Sequence, residues 1–347
     1  MRKVHATETN MIEETVARSD RLPDVVTRPR LRVLLLAYSI SPVRGSEFSV
    51  AWNHVTHMSQ FCDLTVLYGL AGPHMGDLED IENYLRQNGE IPNVRFVAIR
   101  PPFMARLLNS PNRNGFMVYS FYMAYKVWHR TAAQKAQSLL ASEPFDLVHY
   151  LCPIGYREPG FLWQFDKPYV WGPIGGMVPT RQLKGAPRSS ASIWKTRLKN
   201  LTNAIQLRLS RRVTKALGRA DKLVAATNEN AEMIKTRFAR DAKVVPENAI
   251  PDDWMPSEDA DGQVAAGSHV RLVWVGSLDA RKSPDLLIDA LKRVPTEGWH
   301  LDIVGEGQLR DSLKCMISDA GLTEKVTAPF ERPSGARPCR PCKTNRP

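Results

Sequence analysis

VRLVWVGSLDARKSPDLLIDALKRVPTEGWHLDIVGEG, residues 270–307, is the stretch that decides the fold. Its first six residues, Val270–Val275, are an apolar run of the kind a buried parallel strand requires. A tight turn at Gly276-Ser277 follows, then two adjacent cations, Arg281 and Lys282. Ser283-Pro284 supplies an N-cap and a first-turn proline, which together open a helix. Leu286, Leu287, Ala290 and Leu291 give that helix one apolar face. A second strand, Trp299–Val304, runs into Gly305-Glu306-Gly307. The unit reads strand–helix–strand, with glycine and paired positive charge beyond the strand's C-terminal end, where open α/β sheets bind ligands. A helix N-terminus beside two cations suits an anion, most simply a diphosphate. A solvated Arg-Lys loop without a ligand is the plainer reading of the same residues.

The same grammar opens the chain. Leu31–Ala37 is a continuous apolar strand, residues 41–47 a loop containing Gly45, Ser46 and Glu47, and residues 48–60 a helix, the opening of a doubly wound domain. Further strands are expected at 64–68, 94–99, 147–151, 169–171, 223–226 and 243–245, with helices at 77–87 and 116–141; the many aromatics of the last are expected in the core. Residues 1–30 lack periodicity and read as a flexible arm, and 263–268, small and polar, as a connector between domains.

Composition sets the bounds. A chain of 347 residues, 43% hydrophobic and 24% charged, is globular and long enough for two domains. No apolar run reaches bilayer length, and Met1-Arg2-Lys3 is followed by no apolar segment that would make a secretory signal. Five cysteines give no disulfide framework, and Cys339-x-x-Cys342, with no second pair, argues against zinc. Residues 181–222 hold twelve Lys or Arg against one acid, Asp221, so the whole net charge of +11 resides there. A local anionic partner is implied, and not a nucleic-acid binder. Ile193, Leu198, Leu201, Ile205, Leu209 and Val213 interleave with these cations as an apolar stripe suited to an anionic membrane surface, unless the helix is simply solvated.

The strings GSLDARKSPDLLIDAL (276–291) and LDIVGEGQLRDSL (301–313) resemble the donor half of family 4 glycosyltransferases of the GT-B fold, and the resemblance extends over about residues 31–326. It implies an α/β fold of the GT-B kind, with two Rossmann-like doubly wound domains facing a cleft. The acceptor domain would be 31–262, including the basic helical segment 181–222. Residues 270–328 would be a partial, incomplete donor-binding domain, and 329–347 a disordered tail, rich in Pro and Arg and more like out-of-frame translation than a fold. By resemblance Lys282 binds the donor diphosphate. An arginine normally helps from five residues earlier, where this chain has Ser277, so Arg281 is the substitute. Gly45 and Ser46 would face the donor from the opposite domain, Gly276 and Ser277 would complete the diphosphate loop, and Gly305, Glu306 and Gly307 would form the nucleotide loop. Glu47 reads as a favourable helix-start charge in preference to an acceptor contact.

The family's functional histidine follows a strand that here runs Pro168-Tyr-Val-Trp-Gly-Pro-Ile-Gly-Gly176 and has none. His149, near the end of the preceding strand, is the catalytic candidate; a structural histidine is the competing reading. The implied activity is that of a retaining hexosyltransferase, moving sugar from a nucleotide-diphosphate donor to a lipid-linked or polysaccharide acceptor. Neither metal nor other cofactor is expected, and the chain would be cytoplasmic, peripheral on the inner face of the membrane. The recognisable pattern stops at Val326, short of the family's two glutamates seven residues apart, so little turnover is expected of this chain. The alternative is a non-catalytic, degenerate fragment that binds a membrane or partner.

Overall fold

The computed structural model describes residues 29–45, 47–69, 79–114, 117, 120–179, 190–247, 270–279 and 282–328. They fall into two compact units, 29–247 and 270–328. Residues 1–28 of the expected N-terminal arm, the connector at 263–268, the C-terminal tail with Cys339 and Cys342, and the site residues Ser46 and Arg281 lie outside the described residues. Arg30, the last residue of the expected flexible arm, is instead held by Asp63 at 2.8 Å.

The first unit is built on seven strands: β1 (Leu31–Ala37), β2 (Cys62–Tyr68), β3 (Val94–Ala98), β4 (Leu147–Cys152), β5 (Tyr169–Ile174), β6 (Lys222–Ala225) and β7 (Lys243–Val244). They form one parallel sheet in the order β3-β2-β1-β4-β5-β6-β7. Helices α1 (Glu47–Met58), α2 (Glu79–Asn88), α3 (Phe103–Arg113), α4 (Ser120–Ser142), α5 (Ser190–Leu209), α6 (Arg211–Arg219) and α7 (Asn228–Phe238) lie between them. β1 shows why both faces are covered. Val33, Leu35 and Ala37 join a core with Ala51 and Val55 of α1, while Leu34 and Leu36 join Trp128, Ala132 and Ala136 of α4 on the other side. That alternation is the two-residue period of a strand buried on both faces. The chain winds outward in opposite directions from β1 and β4, so their C-terminal ends mark the switch point where such sheets take ligands.

Of the aromatics expected in the core along 116–141, Tyr125 and Trp128 are buried and Phe121 is partly so, Tyr122 is 36% exposed, and Phe116 and Tyr119 lie outside the described residues. The Trp128 indole donates to the Ile99 carbonyl at 2.9 Å. The single stripe expected along 193–213 breaks at Ser210. This residue leaves helical dihedrals (ψ 91°) and its side chain accepts from the Val213 amide, an N-cap that starts a new helix. Val213 therefore turns inward with α6 and is 1% exposed. Leu198, Leu201, Ile205 and Leu209 stay on α5, joined by Trp194, and all five are 47–74% exposed.

The second unit has strands β8 (Val270–Val275), β9 (Trp299–Val304) and β10 (Val326–Thr327), parallel in the order β10-β9-β8, with helices α8 (Pro284–Leu291) and α9 (Arg310–Asp319). Its core gathers Leu278, Ile288, Leu301, Ile303, Leu313 and Ile317. Among the described residues the apolar run of β8 is covered on one face. Leu272 and Trp274 pack against the core, while Val273 and Val275 face outward.

Candidate functional site

In the second unit the site begins where β8 ends. The loop 276–279 and the loop 305–307 after β9 are zipped together by backbone. The Gly276 amide donates to the Val304 carbonyl at 3.0 Å, the Leu278 amide to Glu306 at 2.8 Å, and the Leu309 amide back to Leu278 at 2.9 Å. Leu278, fully buried, is the rivet. This close approach explains the two glycines. A Cβ on Gly305, whose φ is 148°, would lie 1.8 Å from the Gly276 carbonyl oxygen, and one on Gly307 would lie 2.4 Å from that of Leu278. Only glycine permits such contact.

Lys282 is exposed just before α8, its amide held by the Asp279 carbonyl at 3.1 Å and the Asp279 carboxylate at 3.0 Å. Ser283 sits at the helix N-cap position in the left-handed region (φ 50°), with Pro284 at the first turn. The expected side-chain cap is not made, because that backbone conformation does not aim the hydroxyl at the first-turn amides. Ser277 is exposed, and Glu306 pairs with Arg310 one turn on at 3.1 Å. Lys282, Gly276, Ser277, Gly305, Glu306 and Gly307 are thus gathered at the C-terminal end of one small parallel sheet.

In the first unit the loop after β1 is pinned by Ser41. Its hydroxyl donates to Asp80 at 2.7 Å and accepts from the Val43 and Arg44 amides at 3.2 Å each. Arg44 closes on the same carboxylate at 2.5 Å. Gly45 is exposed, its φ is outside the left-handed region and no atom lies within 4 Å of a Cβ placed there. A side chain at this position would therefore meet neither strain nor a clash. Glu47 stands in the first turn of α1. Burial of its carboxyl and, second, the nearby Glu247 hold its pKa above the ordinary 4.5, and burial does the same for Glu247.

Glu247 follows β7, and a Cβ on Gly175 would stand 3.2 Å from its carboxyl oxygen. A charged side chain directly after a strand was the available signal for it, in Val245-Pro246-Glu247. The loops after β4 and β5 are bridged there too, Gly175 donating to the Ile154 carbonyl at 2.8 Å. The switch point is thus glycine-lined and carries two carboxyl groups whose pKa values are raised above the ordinary one.

His149 stands in β4, where the sequence places it. It is 6% exposed inside the sheet layer, its Nε2 hydrogen-bonded to the Gly172 carbonyl at 2.9 Å, and its ring lies 6.1 Å from that of His54. Burial drives its pKa down to about 4, against the Gly172 bond, with His54 adding to the fall. The neutral imidazole braces β5 against β4.

Residues 259–336 match the family model described as glycosyl transferases group 1. The match covers the β8–α8–β9 loops and runs past Val326, where the recognisable sequence pattern stops. No curated protein matches the chain. Among solved structures, the apo lipopolysaccharide outer core galactosyltransferase WaaB is 15% identical, with 86% of this chain and 67% of that one covered and a TM-score of 0.50. The catalytic domain of starch synthase IV from Arabidopsis thaliana, bound to ADP and acarbose, is 10% identical, with coverages of 88% and 75% and a TM-score of 0.52. TarM is 9% identical, with 86% and 76% covered and a TM-score of 0.51. At these identities the likeness is one of fold, and the α/β fold of this chain is of the GT-B kind.

Proposed function

We propose that the chain transfers a hexosyl group from a nucleotide-diphosphate sugar to a lipid-linked or polysaccharide acceptor, with retention of configuration. The observation that carries this reading is the zipped pair of loops at 276–279 and 305–307, with Lys282 beside them, inside the stretch that matches the glycosyl transferases group 1 model. A departing diphosphate needs positive charge and free amides as its bond to the sugar breaks. Lys282, the N-terminus of α8 and Arg281 would supply them without a metal. Gly276 and Ser277 would line the diphosphate, and Gly305, Glu306 and Gly307 the nucleoside. Gly45 and Ser46 would remain donor contacts by the resemblance, and the switch point of the first unit would hold the acceptor. His149 would serve as a positioning residue for the loop after β5, through Gly172.

The stripe on α5 would seat the chain on an anionic membrane surface. Residues 190–219 contain no acidic residue and eight Lys or Arg, so a second copy of the same surface would be repelled while an anionic bilayer is attracted.

Calorimetry with UDP, GDP and ADP tests the donor site, followed by NMR of the anomeric proton in the product formed from the nucleotide sugar that binds. Binding of one nucleotide with micromolar affinity and an unchanged anomeric configuration are expected. Failure of all three nucleotides to bind would reject the reading.

A further inference from the structure

Outside these loops the first unit carries a cavity of about 390 Å³ between α4, the loop after β4 and the α5–α6 junction. It lies on the ligand side of the sheet: α4 runs on to the N-terminal end of β4 and α6 to that of β6, so the starts of both helices stand at the strands' C-terminal edge. A second cavity, of about 540 Å³, opens at Arg32, Leu64 and Val94, the opposite edge, where the switch-point argument places no ligand.

The charge inside the smaller cavity is unbalanced. Among the described residues, Lys126, Arg157 and Arg212 line it against a single acid, Glu158. Glu158 is committed to Arg212, which grips both its oxygens at 2.5 and 2.8 Å. Among the described residues Arg157 is oriented by neutral groups, the Asn203 amide oxygen, the Tyr122 hydroxyl and Tyr156, and lies over the Tyr122 ring. Lys126 has no carboxylate partner among the described residues. Arg212 Nε is buried with no hydrogen-bond partner. The N-terminus of α6, nine residues long, opens at the same place through Ser210 and adds its own positive pole. A guanidinium held by neutral partners keeps its donors and its charge for an anion.

The cavity also borders apolar surface. Thr202, Gln206 and Ser210 line it, and at about 100° per residue they stand beside Leu198, Ile205 and Leu209 of the exposed stripe. Tyr122 and Met123 flank it from α4, half or more of Met123 exposed. Charge within and an apolar ridge at the rim are the two halves of an amphiphile's requirement.

We propose that this cavity binds a phosphate ester, with Arg157 and Lys126 as its principal ligands. The proposal stands apart from the transfer reading, because its test measures binding alone. In the Lys282→Ala background, which removes the expected diphosphate ligand of the second unit, inorganic pyrophosphate is titrated calorimetrically into the full chain. Adding Arg157→Gln and Lys126→Gln should weaken binding by about tenfold or more, a loss of about 1.4 kcal/mol. Lys222→Gln, an exposed cation outside the cavity, should change nothing. Arg157→Lys is the second variant should the glutamine change unfold the chain, as read by circular dichroism, and it too should weaken binding because the planar fork is lost.

Flotation with phosphatidylcholine vesicles, with and without phosphatidic acid, identifies the source. Recruitment that depends on phosphatidic acid and on Arg157 marks a lipid phosphate. Pyrophosphate binding through Arg157 without such recruitment marks a soluble phosphate ester. Absence of pyrophosphate binding, or equal affinity with and without the two cations, overturns the proposal.

Discussion

Replacing Gly305 by alanine tests whether the zipped loops are held as described. The new Cβ would lie 1.8 Å from the Gly276 oxygen and 2.9 Å from its carbon, whereas ordinary contact begins near 3.4 Å. Both atoms are backbone, so no side chain can swing aside. Relief requires the loops to part by well over an ångström, which breaks the hydrogen bonds from Gly276 to Val304, Leu278 to Glu306 and Leu309 to Leu278. Each contributes about 1 kcal/mol net, and φ of 148° for a residue with a Cβ costs about 1–3 kcal/mol more. These terms overlap, so about 3–5 kcal/mol is expected, a large share of the roughly 5–15 kcal/mol that stabilises an ordinary domain.

Hydrogen exchange read by mass spectrometry separates the two units. Peptides across 270–309 should lose protection while those of β1 and β4 keep theirs. Gly298→Ala is the control: φ is +80° but nothing lies within 4 Å, so only the left-handed penalty of about 1–2 kcal/mol applies. If Gly305→Ala falls within about 0.5 kcal/mol of that control, the loops do not approach each other so closely.

Lys282→Ala should weaken UDP or GDP binding more than Arg281→Ala, by about tenfold; equal affinity of wild type and Lys282→Ala in calorimetry would remove Lys282 from the site. His149 and His129 are buried and neutral, their pKa values lowered to about 4 and about 3 from 6.5 chiefly by burial. The unfolded chain takes up those protons first, so stability is complete above pH 6.5 and falls as the pH drops toward 4 and 3. His149→Gln should recover roughly 2–3 kcal/mol of that loss in urea titrations near pH 4; an unchanged acid slope would refute the assignment. Glu47 and Glu247 run the other way, with raised pKa values, so their contribution is favourable below pH 4.5 and lost as the pH rises through the folded values. Glu247→Gln should raise the melting temperature at pH 7 and leave it unchanged at pH 4, and no gain at pH 7 would count against the pairing. Leu198→Ser with Leu201→Ser should reduce flotation on anionic vesicles at low salt, and equal recovery on neutral vesicles would reject membrane docking by α5.

What was legible in the sequence was local. Leu31–Ala37, Val270–Val275 and Trp299–Val304 are read to the residue because a continuous apolar run bounded by turn residues leaves little room for another assignment. Helix α3 escapes that reading because Pro101 and Pro102 precede it and Pro111 lies inside it, and breakers outvote its pattern. Helix α7 is announced only by its Thr227 cap, whose hydroxyl accepts from the Asn230 amide. At the candidate site the illegible part is non-local. His149 meets Gly172, 23 residues on, and Gly305 meets Gly276, 29 back. A periodicity reports which face of an element is buried, but not which distant carbonyl waits there.

The outward ridge of α5 has a consequence for handling the chain in solution. Trp194, Leu198, Leu201, Ile205 and Leu209 leave in water apolar area that would release about 1.5–3 kcal/mol per fully buried side chain. What keeps two such ridges apart is the like charge around them, and that repulsion reaches about 10 Å at 0.1 M salt but only about 3 Å at 1 M. Ionic strength therefore acts as the colloidal control: dilute buffer keeps the chains dispersed, and concentrated salt lets the ridges meet.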